Sequence, residues 1–243
     1  MPVCTTNGRS MRKLFIYILA FFFTGCEIIP ANEQFIPIEP GQGVRRHVLV
    51  EYTGFRCVNC PAAAEKAREL EERYEGQLYI VSLHPASNPF TQGKYDYTCP
   101  EADSIYRWMG GNASTPFPTG NIDLKPYNGN WFIDPQEWAT ALYETMKDKL
   151  VPSPEGKTET AYWLIEDSVK GAQAMPDNSV NMEYYHRHVL RAIADKEPID
   201  IPEGCDARHL SVLVLTLDPN DKHIIQAYEK KLYSDTPVSF VSH

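Results

Sequence analysis

The sequence predicts an α/β domain followed by a smaller β-rich C-terminal domain. Three observations predict this. An apolar run, a segment of helical periodicity and a second apolar run follow one another within about forty residues near position 50, the pattern of a βαβ unit with parallel strands. A Pro- and Gly-rich break, Pro152-Ser-Pro-Glu-Gly156, comes next. Beyond it lie several segments rich in Val, Ile, Leu and Tyr, which favour strand.

The first run, His47-Val-Leu-Val-Glu-Tyr52, reads as a buried strand. Pro61 to Tyr74 reads as a helix, because Ala63, Ala67, Leu70 and Tyr74 share one face, Pro61 suits the first turn and Gly76 the stop. Gln77 to Leu83, with the apolar run Leu78-Tyr-Ile-Val-Ser-Leu83, is the second buried strand. Residues 84–114, rich in Pro, Asn, Gly and Tyr, read as an insertion with a short helix around Asp103 to Met109. Thr119 to Leu124 is a further strand. Asp134-Pro135-Gln136-Glu137 opens another helix: Asp134 caps, Pro135 fits the first position and Glu137 completes a capping box. Trp138, Leu142, Met146 and Leu150 then line its core face. In the last third, Ala161–Ile165 and Leu210–Leu217 read as strands. Tyr184–Ala194 and His223–Leu232 are less distinct, with strand favoured over helix.

The chain has 243 residues, 43% hydrophobic and 23% charged, which suits one or two globular domains. Its 14 Tyr and 10 Phe supply the apolar area that offsets chain entropy, so the body is not disordered. A net charge of -9 repels phosphate backbones, and no nucleic-acid partner is expected.

Near the N-terminus, Arg12 and Lys13 precede an uncharged apolar run from Leu14 to Phe23. A spanning helix needs roughly 20 apolar residues, so the run is too short for one and fits a secretory signal instead. Met11 is the natural start, with residues 1–10 as an upstream extension. Phe23-Thr24-Gly25-Cys26 resembles the lipobox of bacterial lipoproteins, with Phe where Leu is usual. That resemblance implies lipidation of Cys26 as the mature N-terminus; attachment to the outer membrane, facing the periplasm or the cell surface, is the expected location. A plain signal peptide with an incidental cysteine is the alternative. The expected organisation is a signal segment over 1–25, a lipidated tether over 26–43, an α/β domain over 44–151 and a β-rich domain over 157–243.

The motif with chemistry in it is Phe55-Arg-Cys-Val-Asn-Cys-Pro61, where a strand ends and a helix begins. A helix N-terminus stabilises a thiolate, so Cys57 is expected as an exposed attacking thiol, aided by Arg56 if it faces the sulfur. Cys60, one turn on, would resolve the mixed disulfide. Half a zinc site and a structural bridge are the other readings of a C-x-x-C pair. Zinc needs a second pair at ligand spacing, which the isolated Cys99 and Cys205 do not provide. No metal and no cofactor is expected.

Leu49-Val-Glu-Tyr-Thr-Gly-Phe-Arg-Cys-Val-Asn-Cys60 resembles the first strand and active-site turn of thioredoxins. The resemblance implies a thioredoxin-like first domain. It gives Glu51 the role of a buried acid assisting proton transfer, and Phe117-Pro118-Thr119 that of a cis-proline loop holding the substrate chain. Arg56 and Val58-Asn59 depart from the thioredoxin pattern, so redox direction does not carry over. An edge charge near the surface is the other reading of Glu51. A broader resemblance is to the outer-membrane-protein-28-related lipoproteins of Gram-negative bacteria. It rests on Val50-Glu-Tyr-Thr-Gly54, Cys57-Val-Asn-Cys-Pro61, Val81-Ser-Leu-His84, Trp163-Leu-Ile-Glu-Asp167 with Gln173, Tyr185-His-Arg-His-Val-Leu-Arg191 and Ile225-Gln-Ala227.

Other residues invite roles. His186 and His188 could chelate a metal from one strand face, although a polar strand face or interface network is the plainer reading. His84 reads as a loop residue at the end of the second strand. Cys99 and Cys205 are either a disulfide or two free thiols, since spacing does not decide connectivity. Two functions remain: a thiol-disulfide oxidoreductase acting on protein thiols or disulfides, or a binding lipoprotein whose Cys pair is only a bridge.

Overall fold

In the computed structural model, which describes residues 44–95, 97–147 and 157–232, the two apolar runs flanking the Cys motif form parallel strands. Strand β1 (His47–Tyr52) pairs with β2 (Leu78–Leu83) from His47 opposite Leu78 to Tyr52 opposite Leu83. Helix α1 (Cys60–Arg73) makes the crossover. Every residue of β1 is buried, because both faces of the sheet are covered. Its alternating side chains divide between two cores. Leu49 packs with Ala63, Ala67 and Leu70 of α1 and with Trp138, Ala141 and Leu142 of α3 (Trp138–Lys147). Val48, Val50 and Tyr52 pack on the opposite face with Ala102 and Tyr106 of α2 (Pro100–Trp108).

Strand β3 (Thr119–Ile122) lies antiparallel to β1 on its other side, with Gly120 opposite Glu51. It ends two residues earlier than its apolar pattern suggests, because Asp123 and Leu124 turn left-handed, at φ 54° and 53°. Asp123 is fully buried there. Its carboxylate accepts from Arg45 at 2.7 Å and from the Val48 amide at 2.8 Å, and it meets His47 Nδ1 at 2.7 Å. Helix α3 starts at Trp138 rather than at Pro135. Asp134 still accepts from the Gln136 amide at 2.8 Å, but residues 135–137 form a turn ahead of the helix.

The later segment adds β4 (Glu159–Glu166), β5 (Val169–Ala174), β6 (Val180–His186), β7 (Val189–Ala194), β8 (Leu210–Leu217) and β9 (Ile224–Lys231). The architecture is a large mixed sheet, ordered β3-β1-β2-β7-β4-β8-β9, beside a small sheet of β5 and β6. The α/β and β-rich segments therefore meet inside one sheet, where Ser82 of β2 lies opposite Val189 of β7. The signal segment, Cys26, the tether, Leu150 and the break at 152–156 lie outside the described residues. Among the described residues, no helix is long and apolar enough to cross a membrane.

Strands β4 to β7 are one long hairpin with a break across both arms. Its base, β4 with β7, belongs to the large sheet, and its distal half, β5 with β6, leaves that sheet. The chain crosses the break at Ser168 and at His188, both left-handed at φ 58° and 53°. The run from Tyr184 to Ala194, read from sequence as one element, is thus two strands.

Candidate active site

The Cys motif sits between β1 and α1, and its cysteines form a disulfide with Cα atoms 5.4 Å apart. Asn59 occupies the cap position and Cys60 opens the helix. The turn is fixed by the Cys57 amide donating to the Gly54 carbonyl at 2.9 Å and the Arg56 amide donating to the Phe90 carbonyl at 3.0 Å. Gly54 is required by that approach: a Cβ there would stand 2.5 Å from the Phe90 carbonyl oxygen.

The expectation of an exposed Cys57 is corrected. Arg56, Val58 and Asn59 reach solvent, yet Cys57 is 1% exposed and Cys60 2%. The cover comes from β5, which the sequence did not reveal. The Gln173 side chain donates to the Cys57 carbonyl at 2.9 Å, and the Ala174 amide donates to the Phe55 carbonyl at 2.7 Å. Arg56 turns away from this role, its guanidinium donating to the Gln92 carbonyl at 3.3 Å.

Glu51 is not an edge charge. It is 2% exposed, on a strand paired on both sides, and faces α1. Burial pushes its pKa up to about 7, against the hydroxyl of Ser82 and the charge of His188, which favour the carboxylate. Glu51 and Cys60 line the same cavity, of about 380 Å³, together with Ser82, His84, His186 and His188. His84 is the loop residue directly after β2, as expected, and it is buried. Burial holds its pKa well below the ordinary value, so the ring is neutral, and neither nitrogen has a protein hydrogen-bond partner.

His186 and His188 do not share a strand face, because the hairpin break falls between them. Burial lowers His186 to about 4, and its Nε2 contacts the Ala172 carbonyl at 3.1 Å. Burial also opposes charge on His188, but the Glu71 carboxylate at 3.4 Å outweighs it and raises the pKa. Among the described residues, Asp218, Asp221 and His223 bring three potential ligand atoms within 4.8 Å of one another, in the turn between β8 and β9.

The Phe117-Pro118 peptide is cis, and the loop lines a groove of about 690 Å³ that begins at Asn59. Within this loop, Phe117 is buried and stacks on Phe90 with centroids 6.0 Å apart. The buried Thr119 hydroxyl donates to the Ile133 carbonyl at 3.1 Å. Pro118 is therefore the residue of the three that faces the groove with surface to spare. Cys99 and Cys205 are free thiols. Cys99 lies in the core, and burial pushes its pKa up to about 11. Cys205 accepts from Arg191 at 3.3 Å.

No family model matches the chain, and no curated protein matches it. Two solved structures do. HBP35 of Porphyromonas gingivalis aligns with a TM-score of 0.54 at 18% identity, over 79% of this chain and 76% of that one. A structural-genomics target from Agrobacterium tumefaciens aligns with a TM-score of 0.45 at 14% identity, over 82% of this chain and 99% of that one. The first likeness is one of fold alone.

Proposed function

We propose that the chain is a thiol-disulfide oxidoreductase on a thioredoxin-like scaffold, related to the outer-membrane-protein-28-related lipoproteins. Its substrates are the thiols or disulfides of other proteins. One observation carries this reading: a disulfide at a helix start shares a cavity with a buried acid whose pKa lies near neutrality.

A partner thiolate attacks Cys57 Sγ, the Cys57–Cys60 bond breaks, and Cys60 leaves as a thiolate that takes a proton from Glu51. The partner's second thiolate then attacks its own sulfur in the mixed disulfide and releases Cys57. The partner dithiol, having released its two thiol protons to solvent, becomes a disulfide, and Cys57 and Glu51 each take one proton from solvent, so the pair gains two electrons and two protons in all. Pro118 holds the partner's backbone in the groove. Lipidation at Cys26 would hold the enzyme on the outer membrane, facing the periplasm or the cell surface. Replacing Cys26 with Ser should abolish acyl labelling.

Burial of both sulfurs favours a second reading, a binding lipoprotein with a structural bridge. The reduction potential of the full-length chain in glutathione buffers separates the two. A value of roughly -120 to -270 mV supports exchange, and one well below about -300 mV supports the bridge.

A further inference from the structure

The closed arm and the exchange reading are in tension, since a disulfide sulfur is attacked only where a thiolate can approach it. We infer that the β5–β6 arm is a hinged cover over the Cys57–Cys60 bond, turning at Ser168 and His188, and that it swings away before a partner reaches the sulfurs. This inference rests on the exchange reading for its purpose, but the motion can be tested apart from it.

Four features support the cover. The arm has no hydrogen-bonded place in the large sheet, so it can move without breaking that sheet. Its two connections to the sheet turn left-handed at the same level, between the Glu166–Val189 pair of the base and the Val169–His186 pair of the arm. Paired breaks of this kind are where a rigid hairpin bends. The arm touches the Cys turn through a small number of bonds, those from Gln173 and Ala174. Beneath it lies the polar cavity with Gln173, Tyr184 and His186 on the arm side and Glu51, Cys60 and Ser82 on the body side. Closure leaves Glu51 Oε1 and both His84 nitrogens buried without protein partners, so the closed state is held less firmly than its burial suggests.

Gly171 supplies the means of prising the arm open. A Cβ there would stand 1.6 Å from the Tyr97 hydroxyl oxygen and 2.7 Å from Cζ. Tyr97 cannot swing aside freely, because its ring packs against His186 at 4.4 Å, His84 at 5.5 Å and Phe55 at 6.4 Å. An alanine at 171 therefore pushes the arm outward, and an alanine at 173 releases its bond to the Cys57 carbonyl.

The test is the rate at which dithiothreitol reduces the pair in the full-length chain. Dithiothreitol closes to its cyclic disulfide, and Cys57 and Cys60 become thiols, trapped by alkylation and counted by peptide mass. Gly171→Ala and Gln173→Ala should each speed reduction by about tenfold, the scale of one hydrogen bond lost from the closed state. The Ala174 amide should exchange its hydrogen faster in the same variants. The equilibrium potential, measured on the same samples, removes any part of the rate change that comes from altered driving force. Unchanged rates in variants that melt like the parent overturn the cover. Should Gly171→Ala fail to fold, Gln173→Ala, which keeps the Ala174 bond, decides alone. A potential in the range of structural bridges would sink the exchange reading while leaving a rate difference, and hence the moving arm, in place.

Discussion

Ser82 donates its hydroxyl to Glu51 Oε2 at 3.3 Å, across the β1–β2 pairing that sets the two residues side by side. Oε1 has no protein partner. A single bond from a neutral donor does not repay the burial of a carboxylate, which is why the pKa rises to about 7.

That shift makes stability depend on pH. The folded state holds the Glu51 proton up to about pH 7, whereas the unfolded chain releases it near the ordinary value of 4.5. Between these values the folded form binds more protons, so stability falls as pH rises through the window and is level above it. The loss is roughly 3 kcal/mol. Glu51→Gln, which cannot ionise, should match the parent in urea melts at pH 4 and exceed it at pH 8. Parallel melts for both proteins across that range would remove Glu51 as the source of the dependence.

Asp123 joins three parts of the chain. Its carboxylate gathers Arg45, His47 and the Val48 amide, and its carbonyl accepts from the Ile224 amide at 2.8 Å. Asp123→Ala removes the carboxylate from a mostly buried Arg45, leaving its charge with the Ile224 and Ile225 carbonyls, and puts a side chain that makes no local hydrogen bond at φ 54°. A cost of about 3–5 kcal/mol is expected. Asp123→Asn keeps an acceptor for Val48 and tolerates the left-handed backbone, so denaturant melts should show a clearly smaller loss.

The elements with regular periodicity were legible in the sequence, and those set by distant contacts were not. The sequence ranges of His47–Tyr52 and Leu210–Leu217 match their strands to the residue and that of Gln77–Leu83 to within one, because continuous apolar runs bounded by polar turns admit few alternatives. Strand β5, Val169-Lys-Gly-Ala-Gln-Ala174, has no apolar alternation and carries a glycine. Its pairing with β6 and its bonds to the Cys turn decide its conformation, and neither partner is visible locally. In the sequence Gln173 stands out only through a family resemblance, and its place against Cys57 depends on the fold. The depth of Glu51 was open for the same reason: a Glu between Val50 and Tyr52 reads equally as an edge or a centre until β3 is seen to pair on its far side.

The free thiols should differ in reactivity. Cys99 is 6% exposed and its pKa is raised to about 11, so little thiolate forms at neutral pH. Cys205 is half-buried and its thiol is raised mainly by desolvation, with Arg191 opposing. Iodoacetamide at pH 8 should alkylate Cys205 well before Cys99 in the folded protein, and both at similar rates in urea. Peptide mapping that finds Cys99 modified first would mean the α2 core opens more readily than its packing implies.

Gly54→Ala tests how closely the Cys turn depends on the 84–99 segment. The added methyl would stand 2.5 Å from the Phe90 carbonyl oxygen and 2.6 Å from its carbon, both backbone atoms that no rotamer change can clear. Either the turn or the Phe90 segment must move, which strains the Arg56 amide bond to the same carbonyl. Overpacking of this kind costs typically 1–3 kcal/mol. Because the clash involves neither sulfur, the loss should appear equally in urea melts of the oxidised and the reduced protein. A loss confined to the oxidised form would instead mean that the disulfide, and not the Gly54–Phe90 contact, holds the turn in place.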